Sequence, residues 1–275
     1  MLTHEQFDRT RKLALRLAGI ELVDRHRELL HRRGGRRGVF DGAGWDALLD
    51  AVEKGEAAAR QKLLCLLTTK FTGFFRHPHQ LARAAEHALR MAVRRGRARL
   101  WSAGSATGEE PYSLAIALIE QSQSDNPPVS ILATDVDAEA LATAERGEYN
   151  DAALRVLEPP RRKRFFNEAP APRCRVIVPA VRRLVEFRPL NLIHKSWPVE
   201  GPFDVILCRN VLMYLDASHR QEVLKHMASL LTPEGLLMID PTEHLGRAGH
   251  LFSPEADAVY RRRSLIPPSP KAIAL

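Results

Sequence analysis

Apolar positions in the N-terminal third of the chain recur at helical spacing. Phe7, Leu13, Ala14 and Leu17 mark one face of a first helix, and Gly19 follows as its stop. Asp24 is placed to cap a second helix running through Leu29 and Leu30, which Gly34-Gly35 should break or fray. Further amphipathic segments cover Trp45 to Val52 and Ala57 to Leu67. No strand pattern stands out, so residues 1–90 read as an all-helical N-terminal domain.

From Arg97 the period changes. ARLWSAGSATGEEPYSLAIALIEQ reads as strand, glycine-containing turn and helix. VSILATDVD is a short β-branched strand ending in acids, ahead of a helix from Ala138 to Arg146. FDVILCRN gives another buried strand, with a helix from Ala217 to Leu231 behind it. GLLMID supplies a further strand after the turn Thr232-Pro233-Glu234-Gly235. Strands alternating with helices predict an α/β domain over residues 91–270, doubly wound around a mostly parallel sheet. One stretch interrupts the rhythm: RCRVIVPAVRRLVEFRPL (173–190) alternates apolar and polar residues with no helix between its halves. It predicts a small antiparallel β-subdomain inserted at about residues 165–190. The proline-rich tail, residues 267–275, is expected to be disordered.

Composition narrows the class. With 45% hydrophobic and 27% charged residues the 275-residue chain is an ordinary globular protein. No run of about 18 apolar residues supports membrane insertion, and MLTHEQFDRTRK lacks the apolar core of a signal peptide. Three cysteines, Cys65, Cys174 and Cys208, lack metal-ligand spacing; they read as buried, inert thiols in a reducing, cytoplasmic compartment. Eleven histidines give no metal cluster, since His77 and His79 lack an acid or cysteine at ligand spacing. The net charge of +8 is concentrated in Arg25–Arg37 and Arg161–Arg164. Such clusters attract an acidic partner or simply form a solvated face, and charge alone does not choose between them.

In an open α/β sheet, ligands bind beyond the carboxyl ends of the strands. Gly104-Ser105-Ala106-Thr107-Gly108 sits at such an end, where small residues let a ligand approach the backbone. Glu109 and Glu110 follow at once and would repel a pyrophosphate. They suit a ligand bearing positive charge, such as S-adenosylmethionine with its ammonium and sulfonium, or they simply complement a helix dipole. Asp135 is placed to accept hydrogen bonds from ribose hydroxyls, whereas Asp137 reads as the cap of the next helix.

Five segments together are more specific than any glycine turn. TTKFTGFFR (68–76), WSAGSATGEEPYS (101–113), ATDVD (133–137), RPLNL (188–192) and PFDVILCRNVLMYLD (202–216) resemble, in order and spacing, the chemotaxis receptor methyltransferase (CheR) family. The resemblance implies a helical N-terminal domain and a Rossmann-like methyltransferase domain carrying a β-subdomain. It also implies S-adenosylmethionine as cofactor, S-adenosylhomocysteine as product, and protein-glutamate O-methylation of a chemoreceptor's cytoplasmic helical region. Carried over by position, the cofactor residues are Thr72, Arg76, Gly104, Glu110, Asp135, Asn191, Leu192, Asn210 and Val211. Lys70 stands where the family has an asparagine that contacts the cofactor. Its ammonium must turn outward along its stem or pair with an acid such as Glu110. In the family's late GHSE segment this chain has DPTE (240–243), with Thr242 and Glu243 retained in kind.

A glutamate carboxylate, pKa about 4.3, is already ionised at neutral pH, so its methylation needs alignment and no general base. Arg76 and Tyr214 are the candidate catalytic pair, Arg76 aligning the incoming carboxylate and Tyr214 orienting the substrate. By the same resemblance Arg32, Arg33, Arg36 and Arg37 would dock the acidic receptor helix. The short NEAPAPRC stretch (167–174) suggests a member working without a receptor tether. The alternative is a non-catalytic cofactor-binding or interaction module derived from the same family. A nucleic-acid substrate lacks the aromatic platform that stacking on bases requires.

Overall fold

The computed structural model describes residues 2–36, 44–69 and 72–263, without the side chain of Arg36. Lys70, Arg37 and the tail 267–275 lie outside the described residues.

Four helices build the N-terminal unit: α1 (His4–Ala18), α2 (His26–Arg36), α3 (Gly44–Glu53) and α4 (Ala57–Leu67). Thr3 and Gln6 form a reciprocal cap at the start of α1, and Gly19, in the left-handed region at φ 65°, ends it. Apolar faces converge on a core of Phe7, Leu13, Leu30, Trp45, Leu49 and Leu63. Trp45 is satisfied there, its Nε1 donating to Thr10 Oγ1 at 3.1 Å.

The expectation for α2 is corrected twice. The helix begins at His26, two residues beyond Asp24, whose side chain pairs with Arg11 at 2.8 Å. It also runs through Gly34-Gly35. Each glycine costs about 1 kcal/mol in a helix, but α2 is pinned by Arg33. Arg33 Nη1 donates to the carbonyls of Leu66 (2.8 Å), Leu67 (3.2 Å) and Thr68 (2.9 Å) at the C-terminus of α4.

The remaining elements are α5 (Pro78–Arg95), β1 (Ala98–Ala103), α6 (Glu109–Ser122), β2 (Val129–Asp135), α7 (Ala138–Arg146), β3 (Glu148–Asn150), α8 (Asp151–Leu154), α9 (Pro159–Phe165), β4 (Phe166–Glu168), β5 (Cys174–Ile177), α10 (Pro179–Arg182), β6 (Val185–Pro189), β7 (Phe203–Leu207), α11 (Ala217–Leu230), β8 (Leu231–Met238), β9 (Phe252–Ala256) and β10 (Val259–Arg262). The seven-stranded sheet has the order β6-β2-β1-β7-β8-β10-β9. Its first five strands are parallel, and β10 and β9 close one edge antiparallel. Strands β1 and β7 are buried almost throughout, as both faces of a covered sheet require. The chain winds from β1 outward to β2 and returns through β7 to β8, so the order reverses between β1 and β7.

Two boundaries differ from the expectation. Leu81, Ala84, Ala88 and Met91 of α5 pack into the sheet's core, so this helix belongs to the α/β layer and not to the helical unit. The small antiparallel sheet is present, but residues 173–190 divide between it and the main sheet. β5 pairs with β3 and β4 in a separate three-stranded sheet, α10 follows, and β6 joins the main sheet parallel to β2. Of the cysteines, Cys65 and Cys208 are buried but Cys174 is half-exposed on β5. Among the described residues, no helix is long and apolar enough to cross a membrane.

His87, buried on α5, makes a stability prediction. Burial, together with Arg90 and Arg261, holds its pKa down at about 4, and its Nε2 has no hydrogen-bond partner among the described residues. The folded state therefore binds fewer protons than the unfolded state between about pH 4 and 6.5, and stability falls as pH drops through that window. His87→Leu is expected to flatten the loss, measured as denaturation midpoints at pH 7, 5.5 and 4.5.

Candidate active site

The sheet's switch point carries the site. Beyond β1, Gly104 turns at φ 89°, and a Cβ there would collide with Val211 Cγ2. Its amide donates to Thr134 O at 2.7 Å, holding the turn against β2. Tyr149, from the small sheet, donates its hydroxyl to Thr107 O at 2.8 Å and holds the other side. Asp135 closes β2 and reaches across: Oδ2 accepts from Ala106 N at 2.8 Å and Oδ1 from Asp137 N at 2.9 Å. Burial pushes its carboxyl above the ordinary range, against the pull of these N–H donors. Asp137 caps α7, with Oδ1 accepting from Glu139 N and Ala140 N.

Ile20, Leu67, Val136, Leu192, Val211 and Leu215 line an apolar lobe with about 760 Å³ of open space. Asp135, Asn191 and Tyr214 open onto it. Thr72, Arg76, Glu110 and Arg209 line an adjoining polar lobe of about 460 Å³. Gly104, Ala106 and Asn210 border both lobes. The helical unit thus forms one wall of the cleft, tied down where Asn191 Nδ2 donates to Leu17 O at 2.6 Å and where Ile20 bridges Leu215.

The two acids of the glycine turn divide their work. Glu109 is buried and accepts from Thr107 Oγ1 at 2.7 Å, and burial pushes its carboxyl up. Glu110 faces the polar lobe, accepting from Ser102 Oγ at 2.7 Å and pairing with Arg209 Nη1 at 3.2 Å. Arg209, missed in the sequence reading, also donates through Nη2 to Arg76 O at 2.8 Å. Its place inside CRNV, at the end of a predicted strand, was the available signal.

Backbone strain gathers here. Phe75 and His77, on either side of Arg76, lie in the left-handed region at φ 52° and 53°, as do Ala106 at 46° and Asn210 at 59°. Glu243, from the DPTE turn, secures the Asn210 segment: Oε2 accepts from Asn210 N and Oε1 from Met213 N, both at 3.0 Å. Arg220 holds the far end, donating to Leu212 O and Leu215 O at 3.0 Å each. The Tyr214 turn lies between these anchors. Thr72, Arg76, Gly104, Glu110, Asp135, Asn191, Leu192, Asn210, Val211 and Tyr214 are thus brought to one cleft. Neither Arg32 nor Arg33 lines the lobes: Arg33 turns inward and backs the cleft wall, donating to Leu67 O, Thr68 O and Thr69 Oγ1, whereas Arg32 stays exposed beside Glu28.

Residues 70–260 match the family model described as CheR methyltransferase, SAM binding domain.

The chain belongs to the CheR methyltransferase family.

It is 38% identical over 266 residues to chemotaxis protein methyltransferase 2 of Pseudomonas aeruginosa, covering 94% of this chain and 93% of that protein. It is 35% identical over 267 residues to the chemotaxis protein methyltransferase of Salmonella typhimurium, covering 94% and 90%. A crystal structure of the glycopeptide N-methyltransferase MtfA complexed with sinefungin covers 57% of this chain and 49% of that chain, at 16% identity and a TM-score of 0.32. The fold rests on the strand order itself. As a CheR methyltransferase the protein is an S-adenosylmethionine-dependent enzyme, which sets aside the non-catalytic module. The cleft's lining is of a chemistry that cofactor can meet, an apolar lobe with Asp135 and Asn191 opening onto it and Glu110 in the polar lobe beside it. The buried Arg209 Nε, with no hydrogen-bond partner among the described residues, stands at the lobe suited to the amino-acid end.

Proposed function

We propose that this enzyme methylates glutamate carboxylates on the cytoplasmic helical region of a chemoreceptor, leaving glutamate methyl esters. The observation that carries the reading is Arg76. Its guanidinium, 37% exposed, borders the polar lobe of a cleft suited to S-adenosylmethionine. A cation there is placed to pair with an incoming carboxylate. Relatives across nearly the full chain are named chemotaxis protein methyltransferases, which supports a receptor as substrate.

The residues have little proton chemistry to perform. When bound, S-adenosylmethionine supplies an electrophilic methyl group on a sulfonium. The substrate glutamate is ionised at neutral pH with a pKa of about 4.3, so no base is needed. Arg76 aligns its carboxylate, Tyr214 orients the side chain that carries it, and the apolar wall excludes water from charges that cancel as the methyl moves. Glu110 would hold the cofactor's ammonium and Asp135 its ribose hydroxyls. The direct test incubates the enzyme with methyl-labelled S-adenosylmethionine and membranes carrying its receptor. Base-labile label on a receptor-sized band is expected, whereas base-stable label would point to another acceptor.

Docking of the acidic helix falls to the exposed face of α2. Arg32, 63% exposed, is the described cation best placed for it, since Arg33 is spent on the end of α4. The side chain of Arg36, and Arg37 altogether, lie outside the described residues. An exposed ion pair contributes about 0–1 kcal/mol and is screened by salt. Arg32→Glu is therefore expected to raise the receptor KM about two- to fivefold at low salt and not at high salt, with kcat unchanged. An unchanged KM at low ionic strength would remove Arg32 from the docking face.

A further inference from the structure

The turn after β8, Asp240-Pro241-Thr242-Glu243, lies behind the polar lobe. Asp240 is 3% exposed on its side chain. Its Oδ1 accepts from Thr242 N at 3.0 Å and from Thr242 Oγ1 at 2.7 Å. Its own amide donates to Glu243 Oε2 at 3.0 Å, the same oxygen that holds Asn210 N. The carboxylate is thereby fixed in one orientation. Its Oδ2 faces His77 Nε2 at 3.2 Å and, on the lobe's rim, Arg76 Nη2 at 3.7 Å. Thr242, Asn210 and His77 outweigh the effect of burial and hold its carboxyl down at about 2, so it carries a charge at any working pH.

We infer that Asp240 is a positioning residue for methyl transfer, holding the Arg76 guanidinium at the rim of the polar lobe where the substrate carboxylate must arrive. The inference rests on the reading of Arg76 given above. A half-exposed arginine keeps several rotamers unless something fixes it, and a rigid buried carboxylate does so from behind. A guanidinium has five N–H donors, so being held through Nη2 is compatible with meeting a second carboxylate. The negative charge of Asp240 also offsets the positive charge of Arg76 in a lobe that must accept a cationic sulfonium.

Asp240→Asn keeps the volume and an acceptor for Thr242 while removing the charge. It is expected to lower kcat on a receptor fragment about tenfold, with the dissociation constant for S-adenosylhomocysteine and the melting temperature close to wild type. The double variant Arg76→Gln/Asp240→Asn should be no slower than Arg76→Gln alone, because Asp240 acts through Arg76. Should Asp240→Asn fold poorly, Thr242→Val keeps the carboxylate but releases its rotation. That variant is expected to lower kcat about threefold without changing cofactor affinity. Wild-type kcat in Asp240→Asn, or in Thr242→Val where that variant replaces it, alongside an inactive Arg76→Gln, overturns this inference and leaves the reading of Arg76 standing. Wild-type kcat in Arg76→Gln overturns both.

Discussion

Arg76→Ala is expected to lower methyl transfer about 100-fold while the affinity for S-adenosylhomocysteine changes less than about threefold. The asymmetry follows from where the guanidinium lies. It borders the polar lobe, pairs with Asp240 at 3.7 Å, and is set by a backbone strained on both flanks. A residue so placed acts on the incoming carboxylate more than on a ligand already seated against Asp135 and Glu110. Arg76→Lys should recover only part of the rate, since an ammonium lacks the planar fork that pairs with a carboxylate at two points. Rates under saturating cofactor and calorimetry with the product separate the two effects. Equal losses in rate and in product affinity would make Arg76 a cofactor residue.

Asp135→Ala should do the reverse. The carboxylate bonds Ala106 N and Asp137 N, and Ala106 sits in the left-handed region, so the glycine turn depends on it. Removing it leaves two amides without their acceptor and takes a ribose acceptor from the cleft. Hydrogen bonds to a charged group contribute about 1.5–3 kcal/mol, so the product should bind about 10- to 100-fold more weakly. Asp135→Asn should fall between, because one end of an amide is a donor and meets a donor. A dissociation constant within about twofold of wild type in Asp135→Ala, with the protein folded, would remove Asp135 from the cofactor site.

What the sequence made legible was chiefly local. Helix α7 spans Ala138–Arg146 as the pattern predicts, because Asp137 caps it and Gly147 ends it in the left-handed region. Helix α4 likewise runs Ala57–Leu67. The misses share one cause, which is that partners distant in sequence decided them. Gly34-Gly35 should end a helix by propensity, but Arg33 ties α2 to the end of α4. The pattern of α5 is helical in either domain, and only the apolar face of the sheet draws it into the α/β layer. Alternation in VEFRP fits a hairpin as well as an edge strand, and the register with β2 decides for the main sheet.

The site divides in the same way. Gly104 and Asp135 stand at predicted strand ends, where ligands of an open sheet bind, and Glu110 and Asn210 came with the family resemblance of their segments. Arg209, Asp240 and Glu243 reach the site through contacts spanning 30 residues or more, which no local pattern reveals. Arg33 shows the opposite error. A cation in a basic run reads as surface, yet its donors meet the carbonyls at the end of a helix that local pattern does not place beside it.

Esterification of receptor glutamates in this cleft is tested by mapping a receptor fragment by peptide mass after incubation with enzyme and S-adenosylmethionine. A gain of one methyl group, about 14 Da, is expected on glutamate-containing peptides of the helical region, reversed by mild alkali and absent when those glutamates are replaced by alanine. A methyl group that survives alkali, or one that maps to lysine, arginine or a chain terminus, would contradict it.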